Sequence, residues 1–167
     1  MPTGFYGKLP TQGDFLCRRL PDSFVQPWDA WLQSGMAEAR ETLGEDGFAE
    51  AWASAPAWRF RLPALACGPD PVTGLLLPSE DLVGRRFPLT VAAITDAAPA
   101  EAWFAGLHEA ATTPGHTADS LAAALPDPSP AGDDVPPEGW WTTPDHHWPL
   151  AALPPPALFR VFLEGGG

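Results

Sequence analysis

The chain has 167 residues, of which 45% are hydrophobic and eight are tryptophan, enough apolar surface for one well-packed core. It has 21 acidic and 9 basic residues, and its formal net charge of −12 disfavours binding to nucleic acid and to anionic membrane surfaces. The sequence shows neither a signal peptide nor an 18-residue apolar run. We therefore expect a cytoplasmic protein without membrane insertion. Its two cysteines lack zinc-ligand spacing, so we expect free thiols.

The first third of the chain predicts one strand and two helices. Aromatic and small residues over 4–9 are typical of a short strand, and a turn follows. Apolar residues over 25–43 recur at steps of three and four, which predicts an amphipathic helix with a capping box at 23–26. Gly44 is suited to end it. A second, shorter helix is expected over 46–54.

Three strands are predicted next. Residues 58–62 alternate apolar and basic side chains, and 72–77 and 87–94 are apolar runs. The last run is apolar on both faces, which indicates a central strand with helical layers above and below. Trp28 and Trp58 fall on the apolar faces of their segments, so we expect both in the core.

The second half predicts helices over 100–112 and 118–125, a strand over 139–143 and a closing helix over 156–163. Residues 126–138 hold five prolines and four carboxylates, which predicts a solvated surface loop.

These elements together predict one α/β domain over residues 1–167. The expected architecture is a mixed central sheet with helices packed on both faces, in three layers (α/β/α). A flexible tail is expected over 165–167.

Known catalytic and metal-binding motifs are missing. Gly4, Gly7 and Lys8 do not have P-loop spacing, and Ser79 lacks the flanking glycines of a nucleophile elbow. The histidines are not spaced as metal ligands. We therefore expect no catalytic residue, no metal and no cofactor. One alternative stays open, a hydrolase or phosphotransferase site assembled from Asp14, Asp81 and Arg85.

Two glycine-rich polar segments stand out, GFYGKLPTQGDF at 4–15 and LPSEDLVGRRFPL at 77–89. With PWDAWL at 27–32 and the Trp140–Trp141 pair, they resemble the TagF/ImpM family of type VI secretion-associated proteins. The resemblance implies a non-enzymatic accessory protein, in some systems a post-translational repressor of apparatus assembly. It also implies contact with an FHA-domain scaffold, and a kinase and a phosphatase set the phosphorylation state of that scaffold. A structural subunit of the apparatus is a further alternative.

The two segments and their flanks also hold most of the basic charge. Five of the nine basic residues lie there, which predicts a basic spot for a protein partner if the fold brings the segments together. The candidate partner-binding residues are Lys8, Asp14, Arg18, Arg19, Ser79, Asp81, Arg85 and Arg86. Two interpretations of Arg85 stay open: it pairs with a carboxylate or phosphate on the partner, or internally with Asp81 or Asp14.

Overall fold

The fold is a seven-stranded sheet between two helical layers. The computed structural model describes residues 2–130, 135–143 and 146–165. The strands are β1 (Gly4–Gly7), β2 (Leu16–Arg18), β3 (Trp58–Leu62), β4 (Val72–Leu77), β5 (Leu89–Ile94), β6 (Gly139–Thr143) and β7 (His146–Trp148). The helices are α1 (Asp22–Ser54), α2 (Glu101–Thr112), α3 (Ala118–Ala124), a 3-10 turn (Pro156–Leu158) and α4 (Arg160–Glu164).

The strand order is β2-β1-β5-β4-β3-β6-β7, and each of these neighbours pairs antiparallel. The α/β class with helices on both faces is confirmed. The sheet differs from expectation in being antiparallel where a mixed sheet was predicted. The reason lies in the connections: the loops over 63–71 and 78–88 contain no helix, so β3, β4 and β5 reverse direction at each step. Parallel neighbours would need a crossover connection.

Each face of the sheet carries its own core. Trp28 of α1 packs against Phe60 and Trp140 on one face. On the other face, Phe104 of α2 packs against Trp141. Adjacent strand residues point to opposite sides, so the Trp140–Trp141 pair supplies one ring to each core.

The helices expected over 25–43 and 46–54 are both present: α1 consists of two helices that meet in a kink at Gly44, whose φ of 73° and ψ of 167° are not helical. Two other helical predictions need correction. The capping box does not form: Pro21 is the N-cap, without a side-chain hydrogen bond. Pro21 has no side-chain donor or acceptor with which to cap the helix. The closing helix is divided into the 3-10 turn and α4, and Gly165 caps it with a φ of 77°.

The strand predictions differ in detail. The expected strand over 87–94 begins at Leu89, and β2 and β7 were not expected. Of the expected surface loop, residues 126–130 and 135–138 have no helix or strand, and 131–134 lie outside the described residues. Residues 166 and 167 of the expected tail also lie outside them.

Trp28 and Trp58 are both buried, which confirms the prediction that they belong to the core. The indole Nε1 of Trp28 donates to Thr90 Oγ1 at 2.7 Å, and that of Trp58 donates to the carbonyl of Phe162 at 2.9 Å. Each ring therefore supplies both apolar contact and a satisfied polar group.

Replacing either tryptophan with alanine should lower the free energy of unfolding by about 3–5 kcal/mol, because the cavity adds to the lost transfer energy. Denaturant unfolding measures this. Trp28→Phe separates the contribution of packing from that of the hydrogen bond, since it keeps an aromatic ring at this position and removes the bond to Thr90. Leu65→Ala at an exposed turn should change stability by less than about 0.5 kcal/mol. Wild-type stability in both alanine variants would contradict the packing described.

Candidate interaction site

The two glycine-rich segments meet at one end of the sheet. Gly7, the last residue of β1, pairs with Leu89, the first of β5, and Leu89 also pairs with Leu77, the last of β4. The segments that leave these strands are therefore neighbours. We call residues 8–15 the amino-terminal turn and residues 78–88 the Asp81 loop.

The carboxylate of Asp81 joins the two segments. Its side chain is fully buried. Oδ2 accepts from Lys8 Nζ at 3.1 Å and from Arg85 Nε at 2.7 Å. Oδ1 accepts from the backbone N–H groups of Val83 at 3.1 Å and Arg85 at 2.9 Å. Four donors therefore satisfy the carboxylate, as a buried charge requires.

The surroundings hold Asp81 in its ionised form. Burial alone raises the pKa of a carboxyl group, since it disfavours the charged state. The backbone N–H of Arg85, the ammonium of Lys8, the guanidinium of Arg85 and the N–H of Val83 act in the opposite direction. The donors prevail, and the pKa of Asp81 lies well below its usual range.

Further hydrogen bonds tie the Asp81 loop to its surroundings. They are Ser79 Oγ to the carbonyl of Lys8 (2.7 Å), Leu82 N–H to the carbonyl of Gln12 (2.8 Å), Arg85 Nη2 to the carbonyl of Gly13 (2.9 Å) and Trp52 Nε1 to the carbonyl of Ser79 (3.1 Å). The first three cross to the amino-terminal turn, and the last anchors the loop to α1. The loop is thus fixed from two sides.

Four of the residues singled out in the sequence meet here: Lys8, Ser79, Asp81 and Arg85. The internal pairing of Arg85 with Asp81 is the interpretation that the structure shows. Because Nε and Nη2 of Arg85 are both engaged within the protein, that edge of the guanidinium is already occupied.

The other candidates lie around or away from this cluster. Asp14 is exposed beside Gly13, and Arg86 is half-buried opposite Glu80 in a backbone bridge. Arg18, at the end of β2, and the next residue, Arg19, contact α3. Nε of Arg18 lies 3.8 Å from Oδ1 of Asp119, and Nη1 of Arg19 donates to the carbonyl of Ala122 at 3.1 Å. Arg18 and Arg19 thus contact α3, whereas Lys8 and Arg85 contact Asp81, and the basic spot for a partner stays a prediction.

Sequence reasoning missed the apolar residues of this site. Leu82 and Val83 are exposed at the end of the Asp81 loop, and Phe15 is exposed on the amino-terminal turn. The ring of Phe15 lies 4.8 Å from that of Phe87, edge to face, and Lys8 Nζ lies 4.8 Å above its centre. The sequence did indicate the exposed pair, because two large aliphatic residues stand between the two carboxylates at 80–81 and Gly84.

The comparisons with known proteins place the chain in a family. Residues 4–127 match the model described as the TagF N-terminal domain, Type VI secretion system-associated. The chain belongs to the TagF family. It is also similar to the crystal structure of PA0076 from Pseudomonas aeruginosa PAO1, with 32% sequence identity and a TM-score of 0.76 over 96% of this chain and 93% of that chain. No curated protein matches the chain.

The family resemblance carried by the glycine-rich segments is thereby confirmed, and this TagF-family chain is a type VI secretion-associated protein. Within residues 2–130, 135–143 and 146–165, no helix is long and apolar enough to cross a membrane. The same residues contain no group of three or more His, Cys, Asp or Glu side chains placed to hold a metal ion.

The pH dependence of stability tests the Asp81 cluster. A carboxylate whose folded pKa is lowered stabilises the fold above its unfolded pKa of about 3.9, and this contribution is lost as the pH falls toward the folded value. Asp81→Asn should therefore destabilise the protein strongly at pH 7, and the gap to wild type should narrow below about pH 4. Denaturant unfolding at pH 7 and pH 3 measures the gap.

Asp14→Asn is the matched control, because it removes the same charge from an exposed position beside Gly13. Its effect on stability should be small at pH 7. An Asp81→Asn variant as stable as wild type at pH 7 would contradict the role given to the carboxylate.

Proposed function

We propose that this TagF-family chain is a non-enzymatic cytoplasmic accessory protein of the type VI secretion system. In this proposal it represses apparatus assembly post-translationally through contacts with an FHA-domain scaffold. Family membership supports the secretion role. The observation that favours action by contact is the Asp81 loop, which holds exposed apolar side chains in a fixed position.

The same loop argues against the enzymatic alternative built on Asp14, Asp81 and Arg85. A general base must reach the proton that it removes from the substrate. Asp81 is fully buried and accepts four hydrogen bonds within the protein, so no substrate atom can reach it. Arg85 is engaged with Asp81 and Gly13. Asp14 and part of Arg85 face solvent, but Asp81 does not, so the three groups do not form one reactive set open to a substrate.

The proposal predicts two results in the native host. Purified protein immobilised on a resin should retain the FHA-domain scaffold of the same secretion system. Deleting the gene should raise the amount of apparatus components in the culture supernatant, and restoring it should lower that amount without changing the cellular level of those components. The second condition separates a post-translational effect from a change in expression.

The two results test different parts of the proposal. Reduced secretion after deletion would contradict repression and would favour an assisting role or a structural subunit. Stoichiometric retention of the chain in purified apparatus particles would also favour the structural subunit. Repression without retention of the scaffold would contradict the proposed partner. Turnover of phosphoesters or esters that depends on Asp14 would contradict the non-enzymatic interpretation.

A further inference from the structure

Two large apolar side chains of the Asp81 loop, Leu82 and Val83, are not part of either core. Leu82 is 65% exposed and Val83 is 71% exposed. Phe15 on the amino-terminal turn is 47% exposed, and the hydrogen bond from Leu82 N–H to Gln12 joins the two segments. Among the described residues, these are three of the six large hydrophobic side chains that are exposed. We call Leu82 and Val83 the apolar tip; Phe15 lies on the adjoining segment and packs against the buried Phe87.

The tip is ordered before any partner arrives. Asp81 forms a buried ion pair with Lys8 and also accepts from the backbone N–H groups of Val83 and Arg85, which fixes the backbone of the loop. The side chains at positions 82 and 83 nevertheless face solvent. A preordered loop loses little conformational freedom when it binds, which favours recognition.

The charge around the tip restricts the partner. In the segment 82–85 the only ionisable side chain is Arg85, which is 64% exposed. Arg86 follows, and its guanidinium forms no ion pair with any residue that the structure describes. Asp14 and Glu80 lie at the base of the loop and are exposed. The apolar tip is thus followed along the chain by two arginines, of which Arg85 is largely exposed, on a protein of net charge −12.

We propose that Leu82 and Val83 are the apolar anchors of a protein-protein interface. The partner that fits them has an apolar recess rimmed by carboxylates, which pair with the free nitrogens of Arg85 and Arg86. Burying these two exposed aliphatic side chains in an apolar recess removes apolar surface from water, which favours association. A charged hydrogen bond at the rim adds orientation. The inference rests on the proposed function, from which it takes the FHA-domain scaffold as the partner and repression of secretion as a readout.

The test compares a double variant with a matched control. Leu82→Asp with Val83→Asp introduces charge at the tip, while Leu65→Asp introduces it at another exposed leucine, 83% accessible, on the loop over 63–71 at the opposite end of the sheet. The double variant should bind the purified scaffold at least about tenfold more weakly and should fail to repress secretion. The control should match wild type in both assays. Arg86→Glu should also weaken binding.

Melting curves establish that each variant is folded. If the double aspartate variant does not fold, Leu82→Gln with Val83→Thr replaces it and is expected to show a smaller loss in the same direction. Equal binding and repression by wild type and folded tip variants would overturn the inference while leaving the proposed function intact. Equal losses in Leu65→Asp would also overturn it, because the effect would then not belong to the tip.

Three further outcomes can be distinguished in these assays. If wild type represses secretion without binding the scaffold, the proposed partner is wrong, and the repression assay alone decides on the tip. If wild type neither binds nor represses, the proposed function fails and the inference fails with it. Binding of wild type, but not of the double variant, to phosphatidylglycerol vesicles would overturn the inference by assigning the tip to a membrane.

Discussion

The carboxylate of Asp81 connects two segments that lie far apart in the chain, since its partner Lys8 is 73 positions away. One of its oxygens accepts two side-chain hydrogen bonds and the other accepts two from the backbone. Neither segment has regular secondary structure of its own at this point. Together with the hydrogen bonds from Ser79, Leu82 and Arg85 to the amino-terminal turn, this buried charge fixes the positions of the two segments.

The cluster is also connected to the core of the fold. Trp52 of α1 packs against Phe48 and donates from its indole nitrogen to the carbonyl of Ser79. The loop is thus held by a helix on one side and by the amino-terminal turn on the other. This arrangement fixes the loop that presents Leu82, Val83 and the partly exposed guanidinium of Arg85 on a protein with a net charge of −12.

Much of the fold was predictable from the sequence. β3 and β4 were predicted with their observed limits, because alternation and apolar runs report burial directly. β2 and β7 were not, since three residues are too few to establish a period. The antiparallel pairing was missed because residue patterns record which face is buried and not which strand lies alongside.

The site was predictable only in part. The sequence identified both segments and left two interpretations of Arg85 open, and the burial of Asp81 decided between them. A run of polar residues such as PSED gives no signal of burial, because the partners that satisfy the carboxylate come partly from a distant segment of the chain. The exposed pair Leu82 and Val83 was visible in the sequence but was not singled out, since isolated aliphatic residues on surfaces are common.

Hydrogen-deuterium exchange of wild type and Asp81→Asn at neutral pH tests the central claim most directly. The substitution would replace one carboxylate oxygen with an amide NH₂ group, which donates and cannot accept from Lys8, Arg85 or the backbone. We predict faster exchange in the variant at the N–H groups of Val83 and Arg85 and also across residues 8–15, with β3 unchanged. Unchanged exchange across residues 8–15 would contradict the claim that this carboxylate holds the two segments together.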